Sequence, residues 1–241
     1  MEIKEPFKRD NRGLIYVDSN DIQLNDLCFK EIKKSYGAKR QFFKIEGIDD
    51  YIIKDSTWIP LLFNQVRNRN LLQSLVNKQK DIPDVDFPIG YYRDHNKMKG
   101  IIIPYYQDAL SLRKMIYLYV FDDLKKYYNH DSDDIDNLIN LLVRILELLS
   151  KMYDNGVMYL DIHSGNFVFK DNDIKIIDFD PGFVFFKDKD HNHYERILSN
   201  YASLVETICR RLKFKPILFN PEITFMETER KVKKLKKELE R

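Results

Sequence analysis

The hydrophobic pattern of this chain changes its period along the sequence, and that change constrains the fold more than any other feature. Between Leu27 and Lys54, short β-branched and aromatic runs are separated by Gly and Asp turns, which predicts an antiparallel meander of three strands. From Asp133 to Asp154 the apolar residues recur at helical spacing. We therefore expect an α+β fold with a sheet-rich first third, a mainly helical remainder, and two lobes joined near residues 104–108.

The segments between these two regions extend the same division. A helix is expected after a cap at Ser56 or Thr57 and should end before Asp81, and a second helical stretch should begin at Ser111. The first 25 residues are polar and mixed, so we expect a loosely packed lead-in. A hairpin-like pair is expected at residues 87–92 and 99–106, and two short strands at 167–169 and 174–177. A helix is expected at residues 194–212, and a charged C-terminal helix at 225–241.

Charge and cysteine content argue against several classes of protein. The chain has 40 Lys and Arg against 38 Asp and Glu, and a dedicated nucleic-acid binder has a larger basic excess. The two cysteines, Cys28 and Cys209, form no metal-binding or disulfide pattern. No apolar run approaches the ~18 residues of a membrane span, and the N-terminus is charged where a signal peptide is apolar. We therefore expect a cytoplasmic protein with no membrane span and no nucleic-acid partner.

Three polar residues have the spacing that phosphoryl transfer requires. Asp161 and Asn166 are separated by the four residues Ile-His-Ser-Gly, and Asp178 follows the apolar run Ile-Lys-Ile-Ile. One carboxylate can orient an acceptor hydroxyl and take its proton, while an amide oxygen and a second carboxylate are hard oxygen ligands suited to Mg²⁺. The spacing therefore predicts a catalytic Asp161 and a metal site at Asn166 and Asp178.

In these motifs the sequence resembles the protein-kinase-like superfamily. Asp161 and Asn166 match the D-x-x-x-x-N catalytic loop, and Asp178-Phe179-Asp180 is similar to the DFG motif. The segment Asn200–Val205 resembles the start of the helix that braces that loop. The amino-acid sequence of the loop looks more like that of aminoglycoside phosphotransferases, choline kinases and small atypical kinases of the RIO kind. The resemblance covers about residues 27–212.

The resemblance implies a two-lobed fold that binds ATP and Mg²⁺. It implies one kinase-like domain over residues 1–241, with an antiparallel-sheet N-lobe at 20–104 and a truncated, mainly helical C-lobe at 105–241. Lys54 would contact the phosphates, and Asp178 would hold the metal and help to hold Lys54. The further residues that it implies are Gly37 in a degenerate glycine-rich loop, Ile103 and Tyr105 in the segment that binds adenine, and His163 beside the catalytic Asp.

The acceptor is left open between two kinds of hydroxyl substrate. The segment at Asn200 favours a protein Ser or Thr, whereas the loop at residues 161–166 favours a small molecule such as an amino alcohol or aminoglycoside. The short stretch from Asp178 to Asn200 leaves no room for a long peptide-binding segment. The sequence makes no prediction of oligomeric state.

One compositional gap bears on activity. No glutamate occurs between Glu46 and Glu147, so the helix after Lys54 lacks the Glu that usually orients the phosphate-binding Lys. Gln65, Asn68 or Gln73 would have to replace it, or Lys54 would be held by Asp178 alone. A neutral amide gives a weaker bond to an ammonium than a carboxylate does. A binding-only pseudokinase is therefore a third possibility.

Overall fold

A computed structural model describes most of the chain, at residues 6–26, 42–55, 65–120, 133–170, 173–179, 183–186, 191–211, 230 and 232. The chain divides into two compact units, Met1–Gln107 and Asp108–Arg241. The secondary structure is mixed α and β, as expected. Gly37 and the predicted strand at residues 27–32 lie outside the described residues, as does nearly all of the predicted C-terminal helix.

The first unit contains a mixed sheet of seven strands, in the spatial order β1-β2-β6-β7-β5-β4-β3. Its two longest strands, β5 and β7, pair antiparallel, and β7 also forms a hairpin with β6. The strands are β1 (Lys8–Arg9), β2 (Ile15–Asp18), β3 (Leu24–Asp26), β4 (Phe42–Ile45), β5 (Ile48–Asp55), β6 (Gly90–Asp94) and β7 (Lys97–Pro104).

Two expectations for this unit are wrong. The sheet is not wholly antiparallel, because β2 runs parallel to β6, with Ile15 beside Gly90. The described part of the first 25 residues is not a loosely packed lead-in, since β2 lies inside the sheet and Leu14 and Val17 are fully buried. The sheet also includes residues before the predicted boundary at 20. A parallel pair needs a long crossover connection, so the partner of β2 cannot be read from its neighbours in sequence.

Strand register places one row of side chains on a single face of the sheet. Lys54 of β5 is opposite Ile101 of β7, Ile101 is opposite Tyr91 of β6, and Tyr91 is opposite Tyr16 of β2. Directly opposed residues point to the same face, so the Lys54 ammonium group belongs to the same layer as the stacked rings of Tyr16 and Tyr91.

Helix α1 (Gln65–Lys78) covers that face. Leu72 packs against Tyr91 and Leu14, and the Arg69 guanidinium lies 5.0 Å from the centre of the Tyr91 ring. The described part of α1 ends before Asp81, as predicted from the sequence. The opposite face of the sheet holds a second core of four buried residues, Val17, Ile45, Ile53 and Ile102.

The second unit is built on helices and two small sheets. Its helices are α2 (Leu112–Val120), α3 (Asp133–Asp154) and α4 (His191–Arg211), and its strands are β8 (Leu110–Ser111), β9 (Val157–Tyr159), β10 (Phe167–Lys170), β11 (Asp173–Ile176) and β12 (Val184–Phe186). The sheets have the orders β11-β10-β8 and β12-β9.

Local sequence explains where these elements begin. Ser111 caps α2 through a 3.1 Å bond from the Lys114 backbone N–H to its Oγ, as its position predicts. Helix α3 has the bounds that its apolar spacing predicts, and its buried stripe includes Ile145 and Met152. The buried Tyr201 of α4 donates a 2.8 Å bond from its hydroxyl to the Leu142 carbonyl of α3, so the two helices are joined by a polar contact as well as by packing.

Within the described part of the chain, none of the helices combines the length and the hydropathy needed to cross a membrane. In the tail, Arg230 and Val232 are helical and Val232 is buried.

Candidate active site

The predicted catalytic loop, residues 160–166, joins β9 to β10 in the second unit. Strand β9 is paired with β12, with Tyr159 opposite Val184, and β10 forms a hairpin with β11. The sequence analysis did not predict β9, because three apolar residues after a helix give too short a pattern to identify a strand. The loop therefore begins and ends on strands that are held in two different sheets.

Four hydrogen bonds fix this loop from outside. Each joins a backbone group of the loop to a different element of the second unit, so that neither end of the loop can move independently. The bonds are Leu160 N–H to Phe183 O at 2.9 Å, Asn200 Nδ2 to Leu160 O at 2.7 Å, Arg113 N–H to Ser164 O at 2.9 Å, and Ile177 N–H to Asn166 O at 2.8 Å.

Asp161 and Asn166 are bonded to each other within the loop. The Asn166 amide nitrogen donates to the Asp161 carboxylate at 2.7 Å and to the Asp161 backbone carbonyl at 3.0 Å. Asn166 is buried, and the Asp161 side chain is 18 % exposed. Both hydrogens of the amide nitrogen are therefore directed at Asp161, which leaves the Asn166 Oδ1 as the oxygen available to a cation.

His163 lies beside the same carboxylate. Its Nε2 is 3.5 Å from the Asp161 Oδ1, while its Nδ1 accepts a 3.1 Å bond from the Gly165 backbone N–H. The His163 side chain is 56 % exposed, the most open of the predicted site residues in this loop. The two carboxylate oxygens of Asp161 are thus divided between His163 and Asn166.

Asp178 follows directly after the residue that is bonded to Asn166. The Ile177 N–H contacts the Asn166 carbonyl, so the next residue along the chain lies at the same end of the β10–β11 hairpin. Asp178 has a φ of 87°, a left-handed backbone conformation that is uncommon outside glycine. Backbone strain of this kind costs about 1–3 kcal/mol and is concentrated at functional sites.

Tyr159 holds the Asp178 backbone in place. Its hydroxyl donates a 3.1 Å bond to the Asp178 carbonyl, and its ring lies 5.5 Å from the ring of the buried Phe179. Tyr159 was not among the site residues predicted from the sequence. A buried tyrosine hydroxyl needs a hydrogen-bond partner, and that requirement is the feature by which the sequence could have indicated a bond from Tyr159.

The chemistry of the donors fits a magnesium ion. Asn166 supplies an amide oxygen and Asp178 a carboxylate, and Mg²⁺ prefers oxygen ligands and binds through one or two carboxylates together with phosphates. Among the residues that the structure describes, no three His, Cys, Asp or Glu side chains converge as a metal site made of protein ligands alone. A pair of ligands of this kind suits a metal that arrives with a nucleotide.

The first unit contains the predicted nucleotide residues. Lys54 is only 2 % exposed, so it is not a solvent-facing lysine of the strand. Ile103 is buried opposite Ile52, and the Tyr105 N–H donates to the Asp50 carbonyl at 2.8 Å. That N–H is therefore already bonded within the unit. A base recognised through this segment would use other backbone groups.

The helix that lacks glutamate has a buried amide instead. Asn68 of α1 is 4 % exposed, and among the residues that the structure describes its Oδ1 has no hydrogen-bond partner. Gln73 donates from its Nε2 to the Asn77 Oδ1 at 3.2 Å, and the side chain of Gln65 lies outside the described residues. Of the three predicted substitutes for Glu, Asn68 therefore has the deepest described side chain.

The bracing role expected near Asn200 has a direct counterpart in the second unit. The Asn200 amide bonds the Leu160 carbonyl at the start of the loop. Asn200 is not at the start of its helix, however, because α4 begins at His191.

Comparisons with known proteins add no identification. No protein-family model matches the chain, and no curated protein matches it either. The functional proposal is therefore carried by the residues of the two units themselves.

Proposed function

We propose that the chain is an ATP-dependent phosphotransferase with a two-lobed kinase-like fold, which moves the γ-phosphoryl group of ATP·Mg²⁺ to a hydroxyl. The observation that carries the proposal is the bond from Asn166 to the Asp161 carboxylate. A loop that is anchored by four hydrogen bonds holds this pair, and Asp178 follows directly after the Asn166-bonded Ile177. A preorganised set of one base and two oxygen ligands is what phosphoryl transfer requires of a protein.

Each residue has a defined task in the proposed reaction. The Asp161 carboxylate orients the acceptor hydroxyl and takes its proton as the hydroxyl oxygen forms its bond to phosphorus and ADP leaves. Asn166 and Asp178 would hold the magnesium ion, which neutralises charge on the phosphates. Lys54 is proposed to contact the α- and β-phosphates.

A protein Ser or Thr is our first choice of acceptor, and the small-molecule hydroxyl is the alternative. The Asn200 contact to Leu160 supports the first, since that segment was the part of the sequence that resembled Ser/Thr kinases. Ser/Thr kinases carry a lysine at the position of the exposed His163, and this difference supports the second. Protein substrates and amino alcohols can be compared in the same assay.

A nucleotide-binding protein without turnover is the second candidate function. The observation in its favour is the neutral Asn68 on the buried face of α1, where a carboxylate would orient Lys54 more strongly. Such a protein would bind ATP·Mg²⁺ but would not transfer phosphate.

Labelled ATP with Mg²⁺ tests the proposal in the wild type, in D161N and in D178N. Both substitutions should reduce transfer by at least about 100-fold, because general-base catalysis alone contributes about 10²–10⁴-fold. The matched control is D108N, since Asp108 also has a positive φ, of 62°, but is exposed and outside the loop. Asn tolerates this backbone conformation, so the comparison isolates the carboxylate at position 178.

Thermal unfolding separates the two candidate functions. A nucleotide at 100 times its Kd should stabilise the wild type by about 2.7 kcal/mol, and K54M should reduce this gain. Stabilisation without phosphate transfer would favour the second candidate. Equal transfer by the wild type, D161N and D178N would contradict the proposed mechanism.

A further inference from the structure

Three of the four polar groups of His163 are hydrogen-bonded, and the fourth lies close to Asp161. Its backbone N–H donates to the Asp161 carbonyl at 3.1 Å, and its own carbonyl accepts the Asn166 N–H at 3.0 Å. Its Nδ1 accepts the Gly165 N–H, and its Nε2 lies 3.5 Å from the Asp161 carboxylate. An imidazole that is more than half exposed would otherwise be free to rotate in water, so these contacts determine its direction.

The Gly165 contact also determines which nitrogen of His163 carries the proton. An imidazole nitrogen can accept an N–H bond only when it is unprotonated. The neutral His163 ring therefore carries its hydrogen on Nε2, the nitrogen that faces the Asp161 Oδ1. A ring of this tautomer presents a donor to the carboxylate without adding a positive charge.

Gly165 leaves just enough space for this arrangement. A Cβ at position 165 would lie 3.1 Å from both the Cε1 and the Nδ1 of His163. Gly165 does not have a positive φ, so its backbone conformation is open to alanine. The close approach of the imidazole is therefore the local reason for glycine at this position.

We propose that Gly165 and His163 are positioning residues that orient the Asp161 carboxylate, with the Gly165 amide setting the tautomer and His163 Nε2–H directed at Oδ1. Asn166 hydrogen-bonds the other carboxylate oxygen at 2.7 Å, whereas the His163 Nε2 approaches Oδ1 at 3.5 Å, which is longer than an ordinary hydrogen bond. His163 then acts through Asp161 and exchanges no proton with the substrate. The kinetic part of this inference rests on the proposed phosphotransferase function.

The tautomer can be measured without any activity. Long-range ¹H–¹⁵N correlation of histidine-labelled protein at alkaline pH reads the protonation of each ring nitrogen, and H163Q assigns the signal among the five histidines. We expect a protonated Nε2 and an unprotonated Nδ1 at His163. The opposite tautomer would overturn the inference, whatever the kinetic result.

Two conservative replacements separate the two contacts of the ring. A Gln side chain can place a donor near the position of Nε2, while the shorter Asn can keep only the acceptor near Nδ1. We expect H163Q to retain more kcat than H163N or H163A, with H163A reduced by about 10–100-fold and the KM for ATP unchanged. Higher kcat in H163N than in H163Q would show that the donor to Asp161 is not what matters.

G165A tests the positioning from the other side without altering a polar side chain. The added methyl group should displace the imidazole by a few tenths of an ångström, and we expect kcat to fall about tenfold. S164A is the matched control in the same loop, because Ser164 contributes its backbone carbonyl to the bond with Arg113. Wild-type kcat in both G165A and H163A would overturn the inference, whereas an inactive wild type would overturn the proposed function alone.

Discussion

Asn166 donates its side-chain amide to two oxygens of Asp161, one on the carboxylate at 2.7 Å and one on the backbone at 3.0 Å. The same residue thus fixes both the side chain and the main chain of its partner. Because Asn166 is buried, water cannot replace the hydrogen bonds of its amide nitrogen if this contact is lost. The free energy of unfolding of the second unit should therefore depend on the hydrogen bonds that this amide donates.

N166D and D161N should have unequal effects on the free energy of unfolding, although each exchanges an amide and a carboxylate. N166D places two acceptors opposite each other and we expect it to lower the free energy of unfolding by about 2–4 kcal/mol. D161N keeps an acceptor oxygen for the Asn166 amide, so a change within about 1 kcal/mol is expected. Urea unfolding at neutral pH measures both, and equal losses in the two variants would contradict the bond direction.

Asn200 should not tolerate replacement by aspartate. Its Nδ2 donates to the Leu160 carbonyl, and a carboxylate would present an acceptor to an acceptor. We expect N200D to be destabilised by about 1–3 kcal/mol and by at least as much as N200A. The control is S199A, at the adjacent exposed position of α4, which should be neutral or slightly stabilising. Greater stability of N200D than of N200A would disprove the donor role.

Asn68 should carry a stability cost that an apolar residue removes. Its buried Oδ1 has no hydrogen-bond partner within the described part of the chain, and an unsatisfied polar group of this kind costs about 1–3 kcal/mol. We expect N68L to unfold at a higher urea concentration than N77L, the same change at an exposed position of α1. If N68L is instead the less stable of the two, the Asn68 oxygen is bonded in solution, and a contact to Lys54 becomes the first explanation to test.

The Asp18–Arg93 pair should make part of the stability of the first unit depend on pH. The Arg93 guanidinium donates a 2.6 Å bond to Asp18 and, with the Asn20 N–H, holds the pKa of Asp18 below its ordinary 3.8. A carboxyl whose pKa is lowered by folding contributes stability above its ordinary pKa and loses it as the pH falls through the lowered value. We expect D18N to cost about 1–2 kcal/mol at pH 7 and progressively less below about pH 4.

The control for this pH dependence is the exposed pair of Lys8 and Asp21, whose N–O distance is 2.7 Å. D21N should leave the unfolding midpoint unchanged at pH 7 and at pH 3, because water screens an exposed pair. A gap between the wild type and D18N that is constant from pH 7 to pH 3 would show that ionisation of Asp18 contributes nothing.

Local pattern was sufficient to predict the elements whose partners are close in sequence. The apolar spacing gave the bounds of α3, and the runs at Phe167 and Ile174 indicated the β10–β11 hairpin. The strand β2 was missed because its short run, Ile-Tyr-Val-Asp, lies within a polar stretch and its parallel partner begins only at Gly90. Period and turn chemistry carry no information about such a distant pairing.

The candidate site divides in the same way. Asp161, Asn166 and Asp178 were predicted from their spacing, and the first two are bonded to each other. The Tyr159 bond to the Asp178 carbonyl was not predicted, since a hydroxyl can reach a backbone oxygen only through a particular pairing of strands. Nor does spacing show which nitrogen of His163 faces Asp161. Residue types could be predicted, but the direction of each donor required the folded backbone.

The parallel pairing of β2 with β6 also has a consequence for synthesis on the ribosome. Strand β2 emerges first, and Gly90 follows only some seconds later, at about 5–20 residues per second. During that interval Ile15 and Val17 have left the ribosome tunnel, but the strand beside which β2 pairs has not yet been synthesised. The nascent chain therefore displays an apolar strand with an open edge, and chaperones that bind such segments have their opportunity before β6 is made.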